Sequence, residues 1–303
     1  MDWLLLLIFA YLFIAVAFLI DKFIVTKVIP EPAFYTVVIS TMGLSAFVLT
    51  PWGLSWPSLY PAAKAALAGG SFTLAVFFLY HAMRSGEASR VVTLVGALGA
   101  VTTFVLSFLF LDQRLGLFQN IAFGLLILGG VLVTFETKRA DQTQSWIWQG
   151  LSAALLFGIS YTAIQSTYDS LGFSSGFIWS RVFAFLFALM FLIPKNNRGL
   201  IKKNLAGQSN LRQGKNQLLV LSSQVLNGVG FIILNYVVFL ASAAIVLAAQ
   251  GLQYAFVLIL TLVLGRKLPG IFKEKYSAGI LAQKVFAILL IAVGLVFLSI
   301  TPV

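Results

Sequence analysis

The sequence predicts an all-α integral membrane protein of ten transmembrane helices, arranged as two inverted five-helix repeats. Three observations lead there: an extreme apolar composition, ten apolar runs of membrane-spanning length, and a polar punctuation that recurs half a chain later. The chain has 303 residues, 60% hydrophobic and 10% charged, with a mean hydropathy of +0.99. Soluble domains carry about 25% charged residues, so a chain this apolar needs a bilayer as its solvent. Zero cysteines exclude disulfides and thiolate metal sites. One histidine and nine carboxylates leave little for a metal cluster or for acid/base catalysis. No metal, no cofactor and no enzymatic activity are expected.

A membrane helix needs about 20 consecutive apolar residues. Ten runs meet that length, at 3–20, 33–50, 64–83, 90–111, 117–135, 147–168, 175–193, 217–239, 243–264 and 281–300. Runs such as Leu4 to Ile8 and Phe183 to Ile193 are apolar on both faces, which fits helices and not alternating barrel strands. The first run is read as helix 1, because Met1-Asp2 lacks the basic flank of a cleavable signal peptide. Pro30, Pro32, Pro51, Pro57, Pro61, Pro194 and Pro269 fall in or beside connectors, where a missing N–H costs least. Trp52, Trp56, Trp146 and Trp148 flank the runs as an interfacial belt.

A formal charge of +11 would suggest nucleic acid in a soluble protein. Here it encodes orientation. Seventeen of the twenty basic residues fall in or beside the connectors after odd-numbered runs; the even connectors hold only Lys64 and Arg114. The positive-inside rule then puts the odd connectors in the cytoplasm and both termini outside a cell inner (plasma) membrane. The expected partners are a small-molecule substrate and the lipid bilayer, with a homodimer left open and nucleic acid excluded.

The second half repeats the first. Ala88-Ser89 falls on Ala241-Ser242, Leu94 on Leu247, and Leu111 to Leu115 on Leu264 to Leu268; after an insertion, Gln119 aligns with Gln283 and Gly130 with Gly294. The two units are 1–138 and 145–303, five runs each. An odd number inverts the second unit in the membrane, the architecture of many alternating-access carriers with a site near the midplane. Gly96 with Ala100, and Ala244 with Ala248, are small-residue pairs at equivalent places. They predict that helices 4 and 9 meet closely near a pseudo-twofold axis.

At Tyr80-His-Ala-Met-Arg-Ser-Gly-Glu-Ala-Ser-Arg90, then Leu109-Phe-Leu-Asp-Gln-Arg-Leu115, then Gln119 and Gly129-Gly130, the chain resembles the drug/metabolite transporter superfamily. Specifically, it is similar to the EamA-like ten-helix branch, over essentially its whole length. The resemblance implies the five-plus-five duplication, secondary transport, and a site between helices 3, 4, 8 and 9 to which helices 1, 6 and 7 contribute. Relatives are usually described with cytoplasmic termini, opposite to the charge count. Leu98-Gly99-Ala100 stands where the family often has proline, Asp112-Gln113 where it has Gly-Glu, and Arg266 at the Glu position of the second repeat.

Polar side chains at membrane depth mark the candidate site. Helix 9 carries Gln250, Gln253 and Tyr254 at i, i+3, i+4; helix 8 carries Gln224 and Asn227, then Asn235 and Tyr236; helix 6 carries Tyr161, Gln165 and Tyr168. Each stripe either glues helices together or lines a cavity, and three stripes together favour a cavity. Arg181 either neutralises an anionic substrate group or snorkels to the interface. His81, beside Tyr80, is a candidate for proton coupling or a plain helix-end residue. Asp21 with Lys22, and Glu87 with Arg90, are candidate gating charges, with local ion pairing and anchoring as the simpler readings. All nine carboxylates fall at span ends or in connectors, so a deep carboxylate relay is not expected. The function expected is secondary transport of a small polar or amphipathic metabolite by alternating access, with a lipid-linked substrate flippase or scramblase as the alternative.

Overall fold

Hydrocarbon offers no water to backbone N–H and C=O groups, so a chain crossing it must satisfy them internally. The protein does this with helices. The computed structural model describes residues 2–25, 32–85, 88–134, 145–194, 199, 214–265 and 278–300, and no strand occurs among them. The helices are α1 (Asp2–Val25), α2 (Pro32–Gly43), α3 (Leu59–Ser85), α4 (Ala88–Leu111) and α5 (Leu117–Thr134), then α6 (Ser145–Leu189), α7 (Gly214–Leu240), α8 (Ala243–Ala248), α9 (Gly251–Gly265) and α10 (Ala278–Ile300). Among the described residues, seven stretches are long and apolar enough to cross a membrane. The chain is a multi-pass, all-α membrane protein.

Three stretches differ from plain spans. The runs 147–168 and 175–193 both lie on α6, a 45-residue helical stretch broken at Gly172, where φ is 69° and ψ is 175°. Only glycine adopts that backbone without strain. The run 243–264 is interrupted: α8 stops at Ala248, Ala249 and Gln250 form a turn, and α9 starts at Gly251. Across this turn the N–H groups of Gln250, Leu252 and Gln253 donate to the carbonyls of Leu247, Ala249 and Gln250 at 2.9–3.1 Å, so the backbone stays satisfied. Finally, α2 passes into a 3₁₀ helix, Leu44–Trp52, which contains Pro51. α1 also continues through Asp21-Lys22 to Val25 instead of ending there.

Small residues and backbone-directed hydroxyls set the packing. Between α3 and α6, Ser160 Oγ donates to the Ala68 carbonyl at 2.8 Å and Thr73 Oγ1 to the Ala184 carbonyl at 2.9 Å. Gly69 lies between them, where a Cβ would come within 2.5 Å of the Ala184 nitrogen. α1 pairs with α7 and α5 with α10, while α4 packs on α6 and α8. Ala100 and Ala248 are buried and Gly96 abuts Gln250, so helix 4 and the α8–α9 segment do meet. Gly130 of α5 touches Gly251 of α9 backbone to backbone. Outward faces expose large apolar side chains such as Phe110, Leu117 and Phe286, as surfaces facing acyl chains require.

The end of α4 has a distinctive backbone. Asp112 follows the helix with φ of 49°, and the Gln113 N–H folds back to the Ser107 carbonyl at 3.3 Å. This is the left-handed helix-ending position that favours glycine and tolerates Asp or Asn. Asp112 stands in that position here.

Candidate functional site

A cavity of about 800 Å³ lies within the bundle. Its wall comes from α1 (Tyr11, Ile14), α2 and the 3₁₀ helix (Ile39, Met42, Gly43, Ser45, Val48), α3 (Phe72, Val76, Leu79, Tyr80) and α4 (Val92, Val95, Gly96, Gly99). α6 adds Phe157, Tyr161, Phe177 and Arg181; α7 adds Gln224, Val225, Asn227, Gly228, Val229, Phe231, Ile232 and Leu234; the α8–α9 segment adds Leu247, Gln250 and Gln253. Neither α5 nor α10 reaches it. Helix 2 is an addition to the expected set.

Seven expected binding residues meet on this wall: Tyr80, Tyr161, Arg181, Gln224, Asn227, Gln250 and Gln253. The side-chain amides of Gln224, Asn227, Gln250 and Gln253 have no hydrogen-bond partner among the described residues. They are free to meet a guest. Among the described residues no Asp or Glu lines the cavity.

Arg181 is the one charged residue among the described residues of the wall. It sits nine residues beyond the Gly172 break, about 13 Å along the helix, and two residues past Trp179, which packs on Trp56. The residue is only 4% exposed, so it does not snorkel. Its guanidinium lies 4.4 Å from the ring centroid of Phe72, 5.2 Å from Phe231 and 5.3 Å from Phe177. Such ring faces attract a cation. Its Nε is buried without a hydrogen-bond partner. The side chain passes Gly43, where a Cβ would lie 3.3 Å from the arginine Cδ.

Four other expected binding residues are off the cavity, and each has a local partner. Gln165 uses both ends of its amide on the entry to α8: Oε1 accepts the Ala243 N–H at 3.0 Å and Nε2 donates to the Ala241 carbonyl at 3.3 Å. Asn235 accepts from the Tyr168 hydroxyl at 3.0 Å and donates to the Phe231 carbonyl at 2.9 Å. Tyr254 donates to the Val92 carbonyl at 3.4 Å. The His81 ring packs edge-on against Phe77, 4.6 Å between centroids. In this structure these four hold neighbouring elements and do not line the cavity: Gln165, Asn235 and Tyr254 meet polar partners within the bundle, and His81 packs on Phe77. Of the gating candidates, Asp21 and Lys22 fall in the last turns of α1 and Arg90 in the first turn of α4. Their side chains, and Glu87 altogether, lie outside the described residues.

Sequence reasoning missed the aromatic enclosure of Arg181 and also Tyr11, whose hydroxyl donates to the Val246 carbonyl at 2.5 Å. Phe72, Phe177 and Phe231 sit on three different helices, so no spacing within one helix links them. Two peripheral features frame the cavity. At one end the 53–58 connector is tied to α6: the Ser55 N–H donates to Ser175 Oγ at 2.9 Å, Trp179 Nε1 donates to the Ser55 carbonyl at 2.8 Å, and Trp56 packs on Trp179. On one flank, the lining residues Met42, Val48, Val225 and Val229 are 42–60% exposed. No extensive packing joins α2 to α7 among the described residues.

No protein-family profile and no curated protein matches the chain. A solved structure, described only as "Crystal structure of protein", is 15% identical with a TM-score of 0.67, over 98% of this chain and 95% of that one. At that identity the similarity concerns the fold alone. It extends over nearly the whole chain, so the helices belong to one architecture that another protein also adopts.

Proposed function

We propose that this chain is a secondary carrier that moves a small polar or amphipathic metabolite by alternating access. The observation that carries the reading is the central cavity, where an arginine and four unpartnered amides converge from α6, α7 and the α8–α9 turn. A cavity of about 800 Å³ is in the range of small-molecule sites. Among the described residues it brings no acid, base and nucleophile together, which supports transport over catalysis. The interruption at Ala249-Gln250 also fits a carrier, since broken helices at substrate sites recur in that class.

The ten-helix count and the inverted repeats belong to the same proposal. Counting α6 as two spans divided at Gly172, and α8 with α9 as one, gives five in residues 1–138 and five in 145–303. Under exchange of the halves, the α1–α7 pair maps onto α3 with the first part of α6, and α5–α10 maps onto itself. That pattern supports the resemblance to EamA-like drug/metabolite transporters. Termini outside an inner membrane remain the reading of the basic connectors, and tags accessible only from the cytoplasm would overturn it.

A second reading, a flippase for lipid-linked substrates, is favoured by the exposed cavity flank between α2 and α7. Proteoliposomes decide between them. Uptake of a metabolite panel is measured across pH with the native protein and Gln253→Ala, beside translocation of a fluorescent lipid. The carrier reading expects saturable uptake that Gln253→Ala lowers at least several-fold. Lipid movement without metabolite uptake would replace it with the flippase, and uptake unaltered by Gln253→Ala would remove the α8–α9 turn from the site.

A further inference from the structure

We propose that the cavity selects substrates carrying one anionic oxyacid group, a carboxylate or a phosphate, and that Arg181 is its receptor; this rests on the carrier reading and names the substrate class. A cation deep in a low-dielectric bundle is costly unless something compensates it. In structural ion pairs the compensation is a protein carboxylate, but no Asp or Glu lines this cavity among the described residues. Arg181 makes no ion pair or hydrogen bond among the described residues. What surrounds it is Phe72, Phe177 and Phe231. Ring faces supply partial negative charge, but no oxygen for a guanidinium N–H to reach. The arginine is therefore held electrostatically while its hydrogen-bonding capacity goes unused.

That combination suits a planar oxyanion. A guanidinium presents a rigid fork of donors matched to carboxylate or phosphate oxygens. The rings restrict the plane of the fork, so little freedom is lost on binding. The amides of Gln250 and Gln253 stand on the same wall and can donate to further oxygens. A cationic substrate meets the charge of Arg181, with no carboxylate among the described lining residues to offset it. The anion has two possible sources, a soluble metabolite or a lipid headgroup reaching in through the α2–α7 flank.

The test uses the full chain in phosphatidylcholine nanodiscs, with melting temperature as the readout. Benzoate, phenyl phosphate, benzamide and benzylammonium are titrated against the native protein, Arg181→Gln and Arg181→Lys. The proposal expects stabilisation by benzoate or phenyl phosphate and not by benzamide or benzylammonium. In Arg181→Gln that effect should need about 30-fold more anion or vanish; Arg181→Lys, which keeps the charge and serves as the folding control, should retain part of it. A second arm replaces part of the lipid with phosphatidylglycerol. Stabilisation by the lipid itself, lost in Arg181→Gln, supports the same receptor and names a headgroup as the source. Equal effects of benzoate and benzamide, an anion effect untouched in Arg181→Gln, or no response to any probe or lipid by the folded native protein would overturn the proposal. Anion binding through Arg181 without any flux in the proteoliposome experiment would support this site and remove the carrier reading.

Discussion

Replacing Gln165 with leucine separates helix glue from substrate contact more sharply than any other single change. The native amide is 4% exposed and bonds two backbone groups, the N–H of Ala243 and the carbonyl of Ala241. Leucine is similar in bulk, so cavity formation contributes little and the loss is polar. Interhelical hydrogen bonds in membrane proteins average about 0.6 kcal/mol, which sets a floor of about 1.2 kcal/mol for two. The orphaned N–H and C=O have no water to turn to, and each unsatisfied buried group costs about 1–3 kcal/mol. The expected destabilisation for the two groups is therefore about 2–6 kcal/mol. Reversible unfolding in mixed micelles measures it. Residual uptake by the folded fraction should show an unchanged KM, because Gln165 does not line the cavity. A loss below about 0.5 kcal/mol, or normal stability with a raised KM, would refute the assignment of Gln165 to the entry of α8.

Two further substitutions probe the frame. Gly69→Val places side-chain atoms against the backbone of Ser180 and Ala184; overpacking of this kind costs about 1–3 kcal/mol, and a lowered melting temperature with poor membrane accumulation is expected. Asp112→Gly relieves a left-handed backbone and gives up only an exposed contact with Arg114, a pair type of little worth. A gain of about 0.5–1 kcal/mol is expected, read as a raised melting temperature with uptake unchanged.

The helices were legible because bilayer thickness imposes a length on apolar runs, and each of the runs read from sequence falls on helical structure where the residues are described. What length could not show was continuity. Ser170-Leu-Gly-Phe-Ser-Ser-Gly176 suggests a connector, yet helix persists on both sides of Gly172 with only that residue out of line. The turn at Ala249-Gln250 carries no proline to announce it. The site was half legible for a related reason. Helical spacing puts Gln250, Gln253 and Tyr254 on one face, but which part of that face meets the cavity depends on helix rotation within the bundle. Gln250 and Gln253 line it, while Tyr254, one residue on, reaches the carbonyl of Val92. In the same way Tyr161 lines the cavity and Gln165, one turn later, caps a neighbouring helix. Arg181 stood out by its charge, whereas its enclosure depends on tertiary packing that no local pattern encodes.

The contact between Gly130 and Gly251 bears on how the interrupted segment could move. A Cβ on Gly251 would come within 2.7 Å of the Gly130 Cα, so the two backbones rest on each other with no side chains between them. Interdigitated side chains act like gear teeth, and sliding past them requires rotamer changes. Two bare backbones form a bearing instead. The bearing lies at the first residue of α9, directly after the turn that carries Gln250 toward the cavity. Ile291 of α10 flanks the same point, its Cδ1 3.2 Å from where a Gly251 Cβ would lie, so the α5–α10 pair, with no described residue on the cavity wall, is the seat against which α9 would turn.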